Sequence, residues 1–139
     1  MTTRTATARY EGMGKNGKGE LTTQSGVLDH SQYGFNTRFE NGPGTNPEEL
    51  IAAAHAGCFT MALSFALAKA GHETGSLETK CAITLESEGD GFTITKSALT
   101  LTGKIDGIDA DEFRRLAEDA KQHCPVSKLI NAETTLEIA

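Results

Sequence analysis

Residues 45–71 read TNPEELIAAAHAGCFTMALSFALAKAG, and the rest of the chain is arranged around them. Asn46 stands where a helix cap belongs, with Pro47 at the first helical position and Glu49 three residues after the cap. Lys69 in the last turn and Gly71 just beyond it are stop signals. Between Leu50 and Ala68 there is no Asp, Glu, Lys or Arg, and small or apolar residues fall on every side. A helix that is apolar all round belongs inside something. A charge-free run of this length also meets the length requirement of a membrane span. Its bulk, however, is Ala, Gly, Ser and Thr rather than Leu, Ile and Val, and no basic cluster flanks it. The expectation is a buried central helix whose small residues admit close backbone approach, with one thiol, Cys58, near its middle.

At 139 residues the chain is expected to form a single domain, residues 1–139, with a real core. A net charge of −6 argues against a nucleic-acid partner, which needs clustered Lys and Arg. The start, MTTRTATARYEG, has no apolar signal region, so a cytoplasmic location is expected. Thiols are kept reduced there, and the three cysteines cannot all pair within one chain.

Residues 3–10 alternate as a first strand. Gly12 to Gly17 form a formal GxGxxG, but the strand-like LTTQSGVL of residues 21–28 follows where a dinucleotide site needs a helix. A hairpin turn is the better reading. Residues 34–40, GFNTRFE, read as a further strand carrying Arg38. Leu77, Cys81, Ile83 and Leu85 share one face of a strand over residues 77–86. In the partner strand, residues 92–102, the apolar phase shifts from Phe92 and Ile94 to Leu99 and Leu101, which predicts a bulge. Asp109 caps a second helix with Glu112 at the box position and a stripe of Phe113, Leu116, Ala117 and Ala120. Cys124 continues that stripe, and Pro125 ends the helix there. The tail TTLEIA reads as a last strand.

Cys81, on an inward strand face, reads as core. Cys58 and Cys124 sit on the buried sides of helices, where a thiol is inert unless a cation offsets its raised pKa. Cys58 is about 18 Å from the helix cap at 1.5 Å per residue, beyond reach of the dipole. Its cation must come from His55, one turn earlier, or from Arg4, Arg9, Arg38, Arg114 or Arg115. His55, His123, Cys58 and Cys124 also form a set that zinc could use, though the paired Cys-x-x-Cys spacing is missing. A non-catalytic dimer with inert thiols is the other open reading.

YGFNTRFE, GTNPEELIAAAHAGCFTMALSFAL and HCPVSK, in this order and spacing, resemble the OsmC branch of the OsmC/Ohr family of thiol peroxidases. The resemblance runs on to the C-terminal TTLEI and so covers nearly the whole chain. It implies an α+β fold, with antiparallel sheets around long buried central helices in an intertwined homodimer. It also implies reduction of organic hydroperoxides and hydrogen peroxide, in oxidative and osmotic stress defence, with no bound cofactor and no metal. Cys58 matches the peroxidatic cysteine and Cys124 the resolving one. Arg38 matches the arginine that supports the thiolate, and Glu48 the carboxylate that holds it. The implied partners are a hydroperoxide substrate and an external dithiol, a lipoylated protein. No nucleic acid or membrane is expected. His55 stands where the Ohr branch often has Tyr, and His123 where Gly commonly precedes the CPVS cysteine. Glu48 and Cys58 are ten residues apart on one helix, about 15 Å along its axis. A cluster of Glu48, Arg38 and Cys58 therefore needs the helix of a second subunit.

Overall fold

The computed structural model describes the whole chain, Met1–Ala139, as an α+β fold. Its residues form two compact units, Met1–Leu50 and Ile51–Ala139.

In the first unit, β1 (Ala6–Glu11) pairs antiparallel with β2 (Lys18–Thr23), and β2 pairs antiparallel with β3 (Ser31–Tyr33). Residues 12–17 form the hairpin connection, a short 3-10 turn entered through Gly12 and Gly14 at φ +77° and +62°. No helix follows it to receive a phosphate. The strand expected at residues 34–40 is instead a single helical turn, α1 (Phe35–Phe39). Thr37 decides this. Its hydroxyl accepts from the Gly34 amide at 2.8 Å and donates to the Gly34 carbonyl at 3.0 Å, while the Asn46 side chain donates to the Thr37 carbonyl at 2.8 Å. A five-residue apolar alternation cannot outweigh a cap that closes the turn from both ends.

The helix read from residues 45–71 is α2 (Pro47–Lys69). The Asn46 side chain accepts from the Glu49 amide at 2.7 Å, and Thr45 donates to the Glu49 carboxylate at 2.7 Å. At the other end Gly71 takes φ +97°, which lets the His72 amide return to the Leu67 carbonyl at 2.9 Å. By length and composition α2 could cross a membrane. In this fold it is a core helix on one side: His55, Phe59, Leu63 and Leu67 are buried, whereas Met61 and Phe65 are 63% and 70% exposed.

In the second unit, β4 (Ser76–Glu88) and β5 (Gly91–Lys104) form a long antiparallel hairpin. Thr84 faces Lys96 and Leu85 faces Ile94, so Thr95 is the extra residue that moves the apolar phase. The predicted bulge lies there. α3 (Ala110–His123) buries Phe113, Leu116, Ala117 and Ala120 as its spacing predicts. Asp109 stands at its cap, but only the main-chain carbonyl works, accepting from the Phe113 amide at 3.0 Å; the side chain makes no capping bond. A short helix that the sequence did not announce, α4 (Pro125–Leu129), follows at once. The last strand, β6 (Glu133–Ile138), lies parallel beside β5. Phe59, Leu63 and Leu67 of α2 pack with Leu99 and Leu101 of β5 and the α3 stripe. Each such Leu or Phe contributes about 1.5–3 kcal/mol on burial.

Candidate active site

The α3 stripe carries Cys124 into the core, where it is 1% exposed. Pro125 cannot donate to the α3 ladder, so the chain turns at Cys124 (φ −65°, ψ 138°) and restarts as α4 with Pro in its first turn. The Cys124 sulfur becomes the cap of α4, accepting from the Ser127 amide at 3.4 Å. Cys58, half-buried on α2, packs against the core cluster that includes Cys124, and Cys124 and the Val126 backbone both act on its thiol. Burial pushes the Cys58 thiol up, the Val126 amide pulls it down, and the neighbouring Cys124 thiol raises it again. No cation contributes within residues 51–139.

His55 is not that cation. It is fully buried, and loss of solvation holds its pKa below the ordinary value, so its neutral form is favoured. Its Nδ1 lies 2.6 Å from the Ser97 hydroxyl and its Nε2 2.7 Å from the Ser127 hydroxyl. Ser127 in turn lies 3.0 Å from the Cys124 sulfur, and Ser97 3.2 Å from the Cys81 sulfur. Cys81, expected as plain core, is therefore half-buried at the end of a polar chain that reaches Cys124. Ser97 and Ser127 were missed in the sequence. One signal existed: Ser97 shares the phase of Leu99 and Leu101, and a polar residue on an apolar face asks for a partner.

The depressed His55 pKa has a measurable consequence. The unfolded chain takes up a proton near pH 6.5, whereas the folded chain resists it until lower pH. Stability from this group is full above about pH 6.5 and falls as pH drops through the folded value. Urea midpoints measured downward from pH 7 should show this decline, and His55→Gln should remove that part of the slope.

In residues 1–50, α1 and the first turn of α2 bring Arg38 to Glu48. The guanidinium Nε and Nη2 both meet Glu48 Oε1, at 2.9 and 2.8 Å. This is a two-to-one contact and not a bidentate fork, and Glu48 Oε2 is buried with no hydrogen-bond partner. Arg38 is 38% exposed. It lines a pocket of about 380 Å³ with Tyr10, Tyr33, Phe35 and Phe39.

Residues 40–139 match the family model of OsmC-like proteins, and this span holds the α2 thiol and the Cys124–Pro125 junction. The chain belongs to the OsmC family. It is 51% identical to the peroxiredoxin OsmC of Escherichia coli over 130 residues, covering 94% of this chain and 91% of that one. The organic hydroperoxide resistance protein OhrB of Bacillus subtilis is 32% identical over 123 residues, 86% of this chain and 88% of its own. The OhrB crystal structure superimposes with a TM-score of 0.77, covering 99% of this chain and 98% of that one at 30% identity. Within this OsmC fold no three His, Cys, Asp or Glu side chains converge to hold a metal ion. Of the zinc set considered from sequence, His123 is exposed and bonded to Asp119 of its own helix, while His55 is taken by the two serines.

Proposed function

We propose that Cys58 takes the peroxide oxygen and Cys124 closes the disulfide, in a chain whose family and relatives make it a thiol-dependent hydroperoxide peroxidase. The Cys58 thiolate attacks the distal peroxide oxygen, the O–O bond breaks, and alcohol or water leaves. Cys58 is then a sulfenic acid. Cys124 condenses with it, releasing water and forming the disulfide, which an external dithiol of lipoyl type reopens by exchange. The observation that carries this reading is that Cys58 packs against the core cluster holding Cys124, near enough for the Cys124 thiol to act on its own. A cytoplasm that keeps thiols reduced is the compartment this cycle fits.

A thiol raised by burial needs a cation to become a nucleophile. Arg38, held by Glu48, is the proposed source, delivered from the second subunit of a homodimer. Two features support the dimer. Met61 and Phe65 leave α2 with an apolar exposed side. The helical span of about 15 Å separates Glu48 from the Cys58 of its own chain. The aromatic walls beside Arg38 offer an apolar seat for the alkyl group of an organic hydroperoxide.

The test is the pH profile of Cys58 alkylation. In Arg38→Met its midpoint should rise by about 1–3 pH units, the effect of losing an adjacent cation. Consumption of cumene hydroperoxide with reduced lipoamide should slow in parallel. An unmoved midpoint would assign the thiolate to another cation.

A further inference from the structure

A continuous polar path leads from the Cys124 sulfur into the core, and the peroxide chemistry of Cys58 does not use it. The Cys124 sulfur lies 3.0 Å from the Ser127 hydroxyl, which lies 2.7 Å from His55 Nε2. Beyond the ring, Nδ1 meets Ser97 at 2.6 Å, and Ser97 meets the Cys81 sulfur at 3.2 Å. Each hydroxyl has one proton to donate, so the whole line is satisfied in two orientations, each the reverse of the other. In the one that leaves Nε2 unprotonated, Cys124 S–H donates to Ser127, Ser127 O–H to Nε2, Nδ1–H to Ser97, and Ser97 O–H to the Cys81 sulfur. In this arrangement the lone pair of Nε2 points, through one hydroxyl, at the Cys124 proton.

We propose that His55, acting through Ser127, removes the proton from Cys124 when the disulfide closes. The inference rests on the resolving role proposed above for Cys124. As the Cys124 sulfur attacks the Cys58 sulfenic sulfur, its proton moves to Ser127 Oγ while the Ser127 proton moves to Nε2. The S–S bond forms and the Cys58 S–O bond breaks. The leaving hydroxide becomes water with the proton that the imidazolium gives back through Ser127, which restores the neutral ring. The sum is one sulfenic acid and one thiol giving one disulfide and one water, with no outside oxidant. The Ser127 amide, at 3.4 Å from the Cys124 sulfur, is placed to stabilise the thiolate as it develops.

The surroundings of His55 suit a base. The titratable groups facing it are thiols: Cys81 from β4 at 3.9 Å, and Cys124 at the α3–α4 junction through Ser127. Ser97 from β5 and Ser127 from α4 complete its contacts. Burial alone shifts its pKa, downward, with no carboxylate or cation contributing. The ring therefore enters the step neutral at physiological pH. A polar group kept only to satisfy the core would need its partners but no particular protonation state.

The experiment follows a single turnover. Reduced protein is mixed with one equivalent of cumene hydroperoxide and quenched with N-ethylmaleimide, and the disulfide and the dimedone-trapped Cys58 sulfenate are counted by mass spectrometry. Ser127→Ala and His55→Gln should slow disulfide closure by about 100-fold, the usual contribution of a positioned base, and sulfenate should accumulate. Ser127→Thr, which keeps the hydroxyl, should restore closure. In the parent, closure should hold its rate through neutral pH and fall off below the ordinary histidine range. In Ser127→Ala it should instead climb with pH, because the thiol then has no base to take its proton. Unchanged rates and an unchanged profile in Ser127→Ala would overturn the relay, and the Ala–Thr pair decides the matter even if His55→Gln fails to fold. Cys124→Ser serves as the separate control: a parental rate of disulfide formation there would remove the resolving assignment itself.

Discussion

Serine in place of Cys58 is expected to abolish hydroperoxide turnover, because the sulfur that accepts the oxygen is gone and a hydroxyl cannot form the corresponding sulfenate. Serine in place of Cys124 should give a different failure. That variant should consume one equivalent of peroxide and then stall with Cys58 oxidised, since no thiol remains beside it to displace water. Peroxide loss followed with reduced lipoamide separates the two: no consumption in the first variant, and one equivalent per chain without recycling in the second. Steady turnover by Cys124→Ser would show that the thiol neighbouring Cys58 is not the one that resolves it. Cys81 then becomes the next sulfur to replace.

Mixing two inactive variants is expected to restore activity. Glu48→Ala frees the Arg38 guanidinium from the oxygen that holds its Nε and Nη2, and a misplacement of ~1 Å costs about 100-fold in rate. Cys58→Ser is inactive for the separate reason above. If each site joins Cys58 and Cys124 of one subunit to Glu48 and Arg38 of the other, a heterodimer of the two variants contains one intact site. Co-refolding followed by a peroxide assay reads this directly, with heterodimers verified by two affinity tags. Heterodimers without activity would place all four residues within one chain. Arg38 and Glu48 already travel together, since both belong to residues 1–50 and pair there.

Much of the fold was legible because local chemistry and global packing agree. Asn46, Pro47 and Gly71 set the ends of α2, and the structure uses the Asn46 cap and the left-handed Gly71 as the sequence implies. The phase change between Ile94 and Leu99 predicted a bulge between them, and the strand register puts it at Thr95. The motifs around Cys58 and Cys124 carried the family, which the 51% identity to a peroxiredoxin OsmC supports. Three features were decided only by tertiary structure. Residues 35–39 alternate like a strand, but the Asn46 side chain reaches back from the start of α2 to the Thr37 carbonyl and holds them as a helical turn. An apolar composition on every side of α2 did not say which stripe the chain buries; contacts with β5 and α3 chose His55, Phe59, Leu63 and Leu67. The line from Cys81 through Ser97, His55 and Ser127 to Cys124 joins five residues from separate elements. Caps, turns and periodicity are fixed by neighbours a few residues away, so a sequence displays them. A hydrogen bond between positions 55 and 127 depends on where packing sets two distant backbones, and no local pattern encodes that.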